Sequence, residues 1–112
     1  MNVGDLLEII SGELLTDNMS ALEVQVENLY ICDLLSWVMS HAQKGDGWVT
    51  VLTNVNVPAV ALMTEVACVI IPEGIKIEQL TLKRANENGI IIVGTVLNSF
   101  EISRKLIQSK LL

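Results

Sequence analysis

Several features are scarce or missing in these 112 residues, and each absence excludes a class of protein. No apolar run approaches the ~18–20 residues that a membrane-spanning helix needs. The first residues, Met1-Asn-Val-Gly-Asp5, carry no basic segment, so we expect no secretory signal. Seven Lys and Arg residues are scattered among thirteen Asp and Glu, giving a net charge of −6. Nucleic-acid binding is therefore disfavoured, because neutralising phosphates requires a basic face. The expected partners include neither nucleic acid nor membrane.

Residues that carry metal or nucleophilic chemistry are equally few. Cys32 and Cys68 lie in or beside apolar runs without Cys-x-x-Cys spacing, so we interpret them as buried thiols rather than iron–sulfur or zinc ligands. His41 is the one histidine, and a solvated helix flank is its simplest interpretation. Neither Gly-x-Gly-x-x-Gly nor a Walker lysine is present. The sequence predicts no enzyme, no cofactor and no metal site, in a reducing cytoplasm.

Three short apolar runs rich in β-branched residues determine the predicted fold class. They are Trp48–Leu52, Ala67–Ile71 and Ile90–Val93, and the segments between them are long enough for helical crossovers. Strands without polar alternation must be covered on both faces. We therefore predict a single domain, residues 1–112, with a three-layer α/β/α architecture and a mostly parallel central sheet. Over half of the residues are hydrophobic, which also favours burial of some surface against a partner.

The segments before these runs predict an N-terminal helix, an edge strand and a second helix. The first helix begins after an Asn2 cap and ends at Gly12. A brief edge strand follows at Glu13–Thr16, and alternation predicts a half-exposed strand over Leu22–Ile31. We expect Asp33 to open the next helix, which continues to about Gln43.

The C-terminal part predicts one helix over Glu78–Asn88 and another after Asn98. Pro58 fits the start of the helix between the first two apolar runs. Asn98-x-x-Glu101 resembles a capping box. We expect the last helix to bury five apolar side chains: Phe100, Ile102, Leu106, Ile107 and Leu111.

Polar residues cluster where the predicted strands end, which is where open α/β sheets bind ligands. They are Asp33, Thr53, Asn54, Asn56, Glu73, Thr95 and Asn98. The alternative is that they are helix caps and turn formers, because the same residue types favour local hydrogen bonds. If a small ligand binds, we place it against Thr53, Asn54, Asn56 and Thr95, with Asp33 nearby.

Trp37 departs from the pattern of its helix. Leu34, Leu35, Val38, Met39 and Ala42 form one apolar arc, and Trp37 projects away from it among polar residues. An exposed indole is unfavourable by roughly 2 kcal/mol of unburied apolar surface. We therefore predict a homodimer with Trp37 in its interface. A ligand stacked on Trp37, or a loop folded over it, is the alternative explanation.

A family resemblance enters with the segments around the first strand. Tyr30-Ile-Cys-Asp-Leu-Leu-Ser36, Gly45-Asp-Gly-Trp-Val-Thr-Val-Leu-Thr53, Asn56, Ala59-Val-Ala61 and Val69-Ile-Ile71 together resemble the DRTGG domain family. That family is similar to the N-terminal domain of HPr kinase/phosphorylase and, more remotely, of Mur ligases. The resemblance spans roughly Val3 to Leu106. It implies the same order of helices and strands and a regulatory role without catalysis. Matched positions are Asp33, Ser36, Thr50, Thr53 and Asn56, so Ser36 joins the candidate ligand contacts.

The stretch that names the family is degenerate in this chain. It should precede Tyr30, but residues 23–29 read Glu-Val-Gln-Val-Glu-Asn-Leu, without the Arg, the Thr or the Gly-Gly pair. Losing Gly-Gly removes backbone freedom and close approach at that turn.

Two functions of different class follow from the residues and the resemblance. The first is a non-catalytic regulatory or scaffolding domain, homodimeric, that senses a nucleotide or a phosphorylated metabolite. The alternative is an accessory component of a hydrogenase or another iron–sulfur redox system, which the genomic neighbourhoods of the family suggest. Two cysteines cannot supply a four-thiolate cluster without a second chain, so the residues disfavour the alternative. A weak enzyme is a distant third interpretation.

Overall fold

The computed structural model describes residues 1–112, in which helices and strands alternate along most of the chain. The helices are α1 (Val3–Ile9), α2 (Leu35–His41), α3 (Asn56–Thr64), α4 (Gln79–Glu87) and α5 (Ser99–Ser109). The strands are β1 (Glu13–Leu14), β2 (Asn28–Ile31), β3 (Asp46–Val49), β4 (Cys68–Ile71) and β5 (Ile92–Gly94). A 3-10 helix occupies Met19–Glu23. None of the helices is long and apolar enough to pass through a bilayer.

All five strands form one sheet in the order β1-β5-β4-β3-β2. The pairs β2–β3, β3–β4 and β4–β5 are parallel, and only β1 is antiparallel to its neighbour β5. The prediction of an α/β fold with a mostly parallel sheet is therefore confirmed.

The sheet is buried on both faces because its central strands carry apolar side chains on both. Trp48, Val69 and Ile92 are aligned across β3, β4 and β5 on one face. The next residues along each strand, Val49, Ile70 and Val93, form the corresponding row on the other face. All six side chains are buried, which explains why these strands read as continuous apolar runs.

The helices divide unequally between the two faces. Residues of α2, α3 and α4 pack on the face of Trp48, whereas α1 and α5 pack on the face of Val49. Strands β2 to β5 follow one another in spatial order, so three successive crossovers of the same hand place α2, α3 and α4 on one side. The chain changes side after β5, where it enters α5. The loops that leave β4 and β5 therefore run to opposite faces of the sheet.

The prediction of a long strand over Leu22–Ile31 is wrong except for its last four residues, which form β2. The chain instead forms the 3-10 helix at Met19–Glu23. Gln25 then makes an isolated antiparallel bridge with Asn2, and the Val26 amide donates to the Met1 carbonyl at 2.8 Å. The alternation of Val24 and Val26 thus reflects contacts with the N-terminal segment, not membership of the main sheet.

Three further expectations about local structure are corrected. Asp33 does not cap α2, because the N-cap position belongs to Leu34, which provides no side-chain hydrogen bond. Pro58 is the third residue of α3 rather than the first. Phe100, Ile107 and Leu111 are exposed, so α5 buries only Ile102 and Leu106 of the five expected residues. The predicted caps of α1 and α5 are confirmed, since Asn2 with Asp5 and Asn98 with Glu101 both form capping boxes.

Substituting Val69 by Asp should abolish folding. Val69 is fully buried at the centre of β4, and an unpaired carboxylate there costs several kcal/mol, comparable with the whole stability of a small domain. Circular dichroism of Val69→Asp should show loss of cooperative unfolding. Leu80→Asp, at an exposed position in the first turn of α4, is the matched control and should fold normally. A natively folded Val69→Asp protein would refute the assignment of β4 as a central strand.

Candidate ligand-binding site

The ends of β2 and β3 are joined by the side chain of Asp33. Its Oδ1 atom accepts hydrogen bonds from the Thr50 hydroxyl at 2.7 Å and from the Val51 amide at 2.9 Å. Thr50 is buried, whereas Asp33 is exposed. Asp33 and Thr50, both matched to the family, therefore act together as a link between two adjacent strand ends.

Thr53, Asn54 and Asn56 form the turn that leads into α3. The Asn54 side-chain oxygen accepts from the Asn56 amide at 2.9 Å, an Asx-type turn. The Thr53 carbonyl accepts from the hydroxyl of Thr81 on α4 at 2.7 Å. Ser36 lies on the exposed surface of α2 and its carbonyl accepts from Ser40. Asn54 and Thr53 thus supply hydrogen bonds that hold the loop against α3 and α4, as the cap-and-turn alternative predicts.

Thr95 belongs to a different part of the sheet. Its buried hydroxyl donates to the Ile10 carbonyl at 2.7 Å and accepts from the Leu97 amide at 3.2 Å. Thr95 follows β5, which is separated from β3 by β4, a distance of about 10 Å across the sheet. Its hydroxyl points to α1, on the face opposite to α4. The structure therefore groups Asp33 with Thr50, and Thr53 with Asn54 and Asn56, but sets Thr95 apart.

Three cavities open on the surface, and Thr95 is the only predicted ligand contact that lines one. We call this one the switch-point cavity, because it lies beside the loops that leave β4 and β5 for opposite faces. Its volume is about 560 Å³, within the range of small-molecule sites. It is lined by residues of the loop after β4, the end of β5, the segment around β1 and α4: Ser11, Glu13, Leu15, Gly74, Ile75, Lys76, Ile77, Leu82, Gly94, Thr95 and Val96.

The walls of the switch-point cavity are apolar and its two charges are opposite. Leu15, Ile75, Ile77, Leu82 and Val96 provide the apolar surface. Lys76 is the single cation and Glu13 the single anion of the lining. Neither takes part in an ion pair within the chain.

The turn that borders this cavity is strained. Glu73 and Gly74 have φ angles of 61° and 65°, and the Ile75 amide donates to the Pro72 carbonyl at 3.2 Å. Such a turn, left-handed at both central residues, favours Asn-Gly. The left-handed backbone conformation of Glu73 therefore costs roughly 1 kcal/mol or more. Backbone bonds from Glu73 to Leu97 and from Gly74 to Thr95, each 2.9 Å, fix it to the loop after β5. Strain held in this way is concentrated at functional sites.

The sequence did not point to Ile75, Lys76, Ile77 and Leu82. Their grouping with Glu13 and Leu15 depends on the pairing of β1 with β5, a contact between distant parts of the chain that no local pattern encodes. The one available signal was the turn Pro72-Glu-Gly74 after a buried strand.

A second cavity, also of about 560 Å³, lies at the amino ends of the strands and contains the degenerate family stretch. Val24, Gln25 and Glu27 line it together with Lys44 and Glu65, which form an exposed ion pair at 3.7 Å. Gly45 allows Glu27 to pack there, since a Cβ at Gly45 would lie 2.8 Å from Glu27 Cγ and its φ is 87°. In this chain, Val24, Gln25 and Glu27 of the degenerate stretch therefore lie at the end of the sheet opposite to the switch-point cavity.

The cysteines do not come together with other metal-binding side chains. Cys68 is buried within β4, and burial raises the pKa of its thiol to about 12, so it stays protonated and unreactive. Cys32, half-buried after β2, directs its thiol to the Leu34 carbonyl at 3.8 Å. No three His, Cys, Asp or Glu side chains are arranged to hold a metal ion.

Comparisons with known proteins agree with the fold. The family model described as "DRTGG domain" matches residues 5–109, so the chain belongs to the DRTGG domain family. Among solved structures, it is similar to the CBS and DRTGG domains of the regulatory region of Clostridium perfringens pyrophosphatase, which was crystallised with its activator diadenosine tetraphosphate. The TM-score is 0.78 at 18% identity, over 96% of this chain and 46% of that one, so this chain spans less than half of its structural neighbour. No curated protein matches the sequence.

Replacing Asp33 by Ala should destabilise the domain by about 1–3 kcal/mol, because the buried Thr50 hydroxyl and the Val51 amide would lose their acceptor. Urea denaturation measures this change. Asp17→Ala is the matched control, since Asp17 is exposed and only its backbone amide is hydrogen-bonded. Equal stabilities of the two variants would contradict a linking role for Asp33.

Proposed function

We propose that this chain is a non-catalytic regulatory domain that binds a small ligand in the switch-point cavity. The observation that carries the proposal is the position of that cavity. In open α/β sheets, ligands bind beyond the carboxyl ends of strands where successive connections run to opposite faces. The cavity lies at that point, and it combines apolar walls with a few polar groups. The regulatory role of the C. perfringens region supports the same class of function.

The charges of the cavity restrict the ligand class. A nucleotide or phosphorylated metabolite can place its apolar or planar part against Ile75, Ile77 and Leu82 and its phosphate near Lys76. Glu13 and the overall charge of −6 oppose ligands with many negative charges. We therefore favour a ligand with one phosphate over a polyphosphate.

Of the residues predicted from the sequence, Thr95 belongs to this cavity. Direct contact of a ligand with Asp33, Ser36, Thr53, Asn54 or Asn56 stays a prediction. Substitution of Lys76 and substitution of these five residues distinguish the two binding sites, because Lys76 lines only the switch-point cavity.

Ligand binding should raise the melting temperature. A ligand at about 100 times its Kd stabilises the folded state by about 2.7 kcal/mol, or roughly 10 °C for a domain of this size. Differential scanning fluorimetry should compare adenosine monophosphate, adenosine triphosphate, diadenosine tetraphosphate and sugar monophosphates. Lys76→Ala should reduce the affinity of the ligand found by about tenfold or more, because a charge-assisted hydrogen bond is lost.

The matched control for Lys76 is Lys83→Ala, which removes an exposed lysine of α4 that lies outside the cavity. The control should bind like the wild type. Equal affinity of Lys76→Ala and the wild type would move the ligand away from the switch-point cavity. If none of these compounds raised the melting temperature, that result would count against ligand sensing itself.

We also propose that the domain forms a homodimer through the exposed side of α2. Trp37 is 52% exposed and stacks on His41, with ring centroids 3.9 Å apart. Leu34, one turn earlier, is 61% exposed. Tyr30 lies beside these residues at the edge of the sheet, where partial loss of water and the nearby Cys32 raise the pKa of its hydroxyl. Aromatic and aliphatic side chains grouped in this way are typical of interface centres.

Trp37→Ala should weaken dimerisation by about tenfold or more, because interface tryptophans commonly contribute at least 1–2 kcal/mol. Sedimentation equilibrium measures the dissociation constant, and circular dichroism should show an unchanged helix content. Phe100→Ala, which removes an exposed aromatic ring from α5, is the control and should dimerise like the wild type. A Trp37→Ala protein that associates as tightly as the wild type would place the interface elsewhere.

The hydrogenase or iron–sulfur alternative gains no support from the arrangement of side chains. Cys68 lies inside the sheet and Cys32 at its edge, so this chain could contribute at most one accessible thiolate to a cluster. Such a role would depend on ligands from a second protein.

A further inference from the structure

The two edges of the sheet are protected to very different degrees. β1 has two residues, is antiparallel to β5 and carries the exposed charge of Glu13. β2 has four residues, Asn28–Ile31, and pairs only with β3. Natural edge strands are normally shortened, charged or interrupted by proline, because their free backbone groups pair with other strands. β2 contains neither a charged residue nor a proline.

Apolar side chains border the free edge of β2 on both faces of the sheet. On the α2 face lie Trp37 and Leu34. On the opposite face Leu29 packs against the core from the half-buried edge, and Ile31 after it is 48% exposed. An edge that is apolar on both faces suits the addition of a strand better than the docking of a single helix, which would cover only one face.

We propose that two copies of this chain pair their β2 strands antiparallel, so that the two sheets continue into one sheet of ten strands. The inference rests on the homodimer proposed above and specifies its geometry. A two-fold axis perpendicular to the sheet places the same face of both copies on the same side of the joined sheet. Residues that oppose one another across the axis then have side chains on the same face. With the axis at Tyr30, Leu29 of each copy opposes Ile31 of the other.

A second copy fits this edge better than an extended peptide from another protein. The strand itself contains no charged residue. With the axis at Tyr30, Glu27 of one copy lies opposite Asp33 of the other, so like charges meet only at the two ends of the paired segment, where Asp33 already accepts hydrogen bonds from Thr50 and Val51. A stable dimer buries about 800 Å² on each partner, against a total surface of 6080 Å² here. A peptide would cover β2 alone, whereas a second copy also brings its own Trp37 and Leu34 to the patch.

Two variants of the full chain test the pairing. Ile31→Lys places a charge on each copy at the edge and should raise the dimer dissociation constant by at least about tenfold, measured by sedimentation equilibrium. Ile107→Lys, at a more exposed position on α5, should leave it unchanged. Tyr30→Cys in a Cys32→Ser background should form an intermolecular disulfide under mild oxidation, because opposed antiparallel residues have Cα atoms about 4.5–5.5 Å apart. Ile107→Cys in the same background should not.

Hydrogen exchange distinguishes strand pairing from side-chain contact alone. Only the amides of residues 28–31 that point away from β3, every second residue of the strand, gain new acceptors on pairing. These amides should become more protected at protein concentrations above the dissociation constant than below it, whereas those already bonded to β3 should change less. A wild-type protein that is monomeric at tens of micromolar overturns both the dimer and the pairing. A different set of results would keep the proposed dimer and overturn the pairing. In that case Trp37→Ala weakens the dimer, but Ile31→Lys does not, Tyr30→Cys forms no cross-link, and the exchange of β2 does not depend on protein concentration. Failure of a variant to fold is detected by circular dichroism, and the exchange of the wild type then decides.

Discussion

The burial of both faces of β3, β4 and β5 is the constraint on which the rest of this structure depends. Three crossovers of one hand cover only one face, with α2, α3 and α4. The other face must be covered by the terminal helices α1 and α5. The chain can meet this requirement only by changing sides after β5. The point where the connections diverge is therefore a consequence of covering the sheet, and the switch-point cavity lies beside it.

The same constraint leaves the two edges of the sheet with different characters. β1 is a short segment that follows α1 and closes the side of β5. β2 is the first of the parallel strands, and no later segment returns to pair with it. The switch-point cavity and the proposed dimer edge therefore lie at opposite sides of the sheet, so the two proposals do not require the same surface.

What the sequence predicted well depended on local patterns or on continuous apolar runs. Val69–Ile71 reads as a buried strand because both of its faces are apolar, and Asn2 and Asn98 form their capping boxes from residues three positions away. The prediction failed where tertiary contacts reassign a pattern. Val24 and Val26 alternate as in a strand, but they contact the N-terminal segment. Phe100 and Ile107 look like core residues in the sequence, yet the buried face of α5 is the one with Ile102 and Leu106.

The candidate site illustrates the same limit, because the sequence identified polar residues at strand ends but not their roles. Asp33 links the end of β2 to Thr50 and Val51 after β3. The Thr53 carbonyl, at the other end of that loop, accepts from Thr81 on α4.

Leu82, the residue after Thr81, lines the switch-point cavity. Two sets of hydrogen bonds, joined by the covalent chain of the loop after β3, therefore connect the wall of the cavity to the end of the strand at the free edge. Contiguity of this kind is not coupling, which requires an element with two arrangements that both sites bias. It does assign the strand-end residues a physical role that needs no direct contact with a ligand: they hold the cavity and the edge strand in one fixed relation.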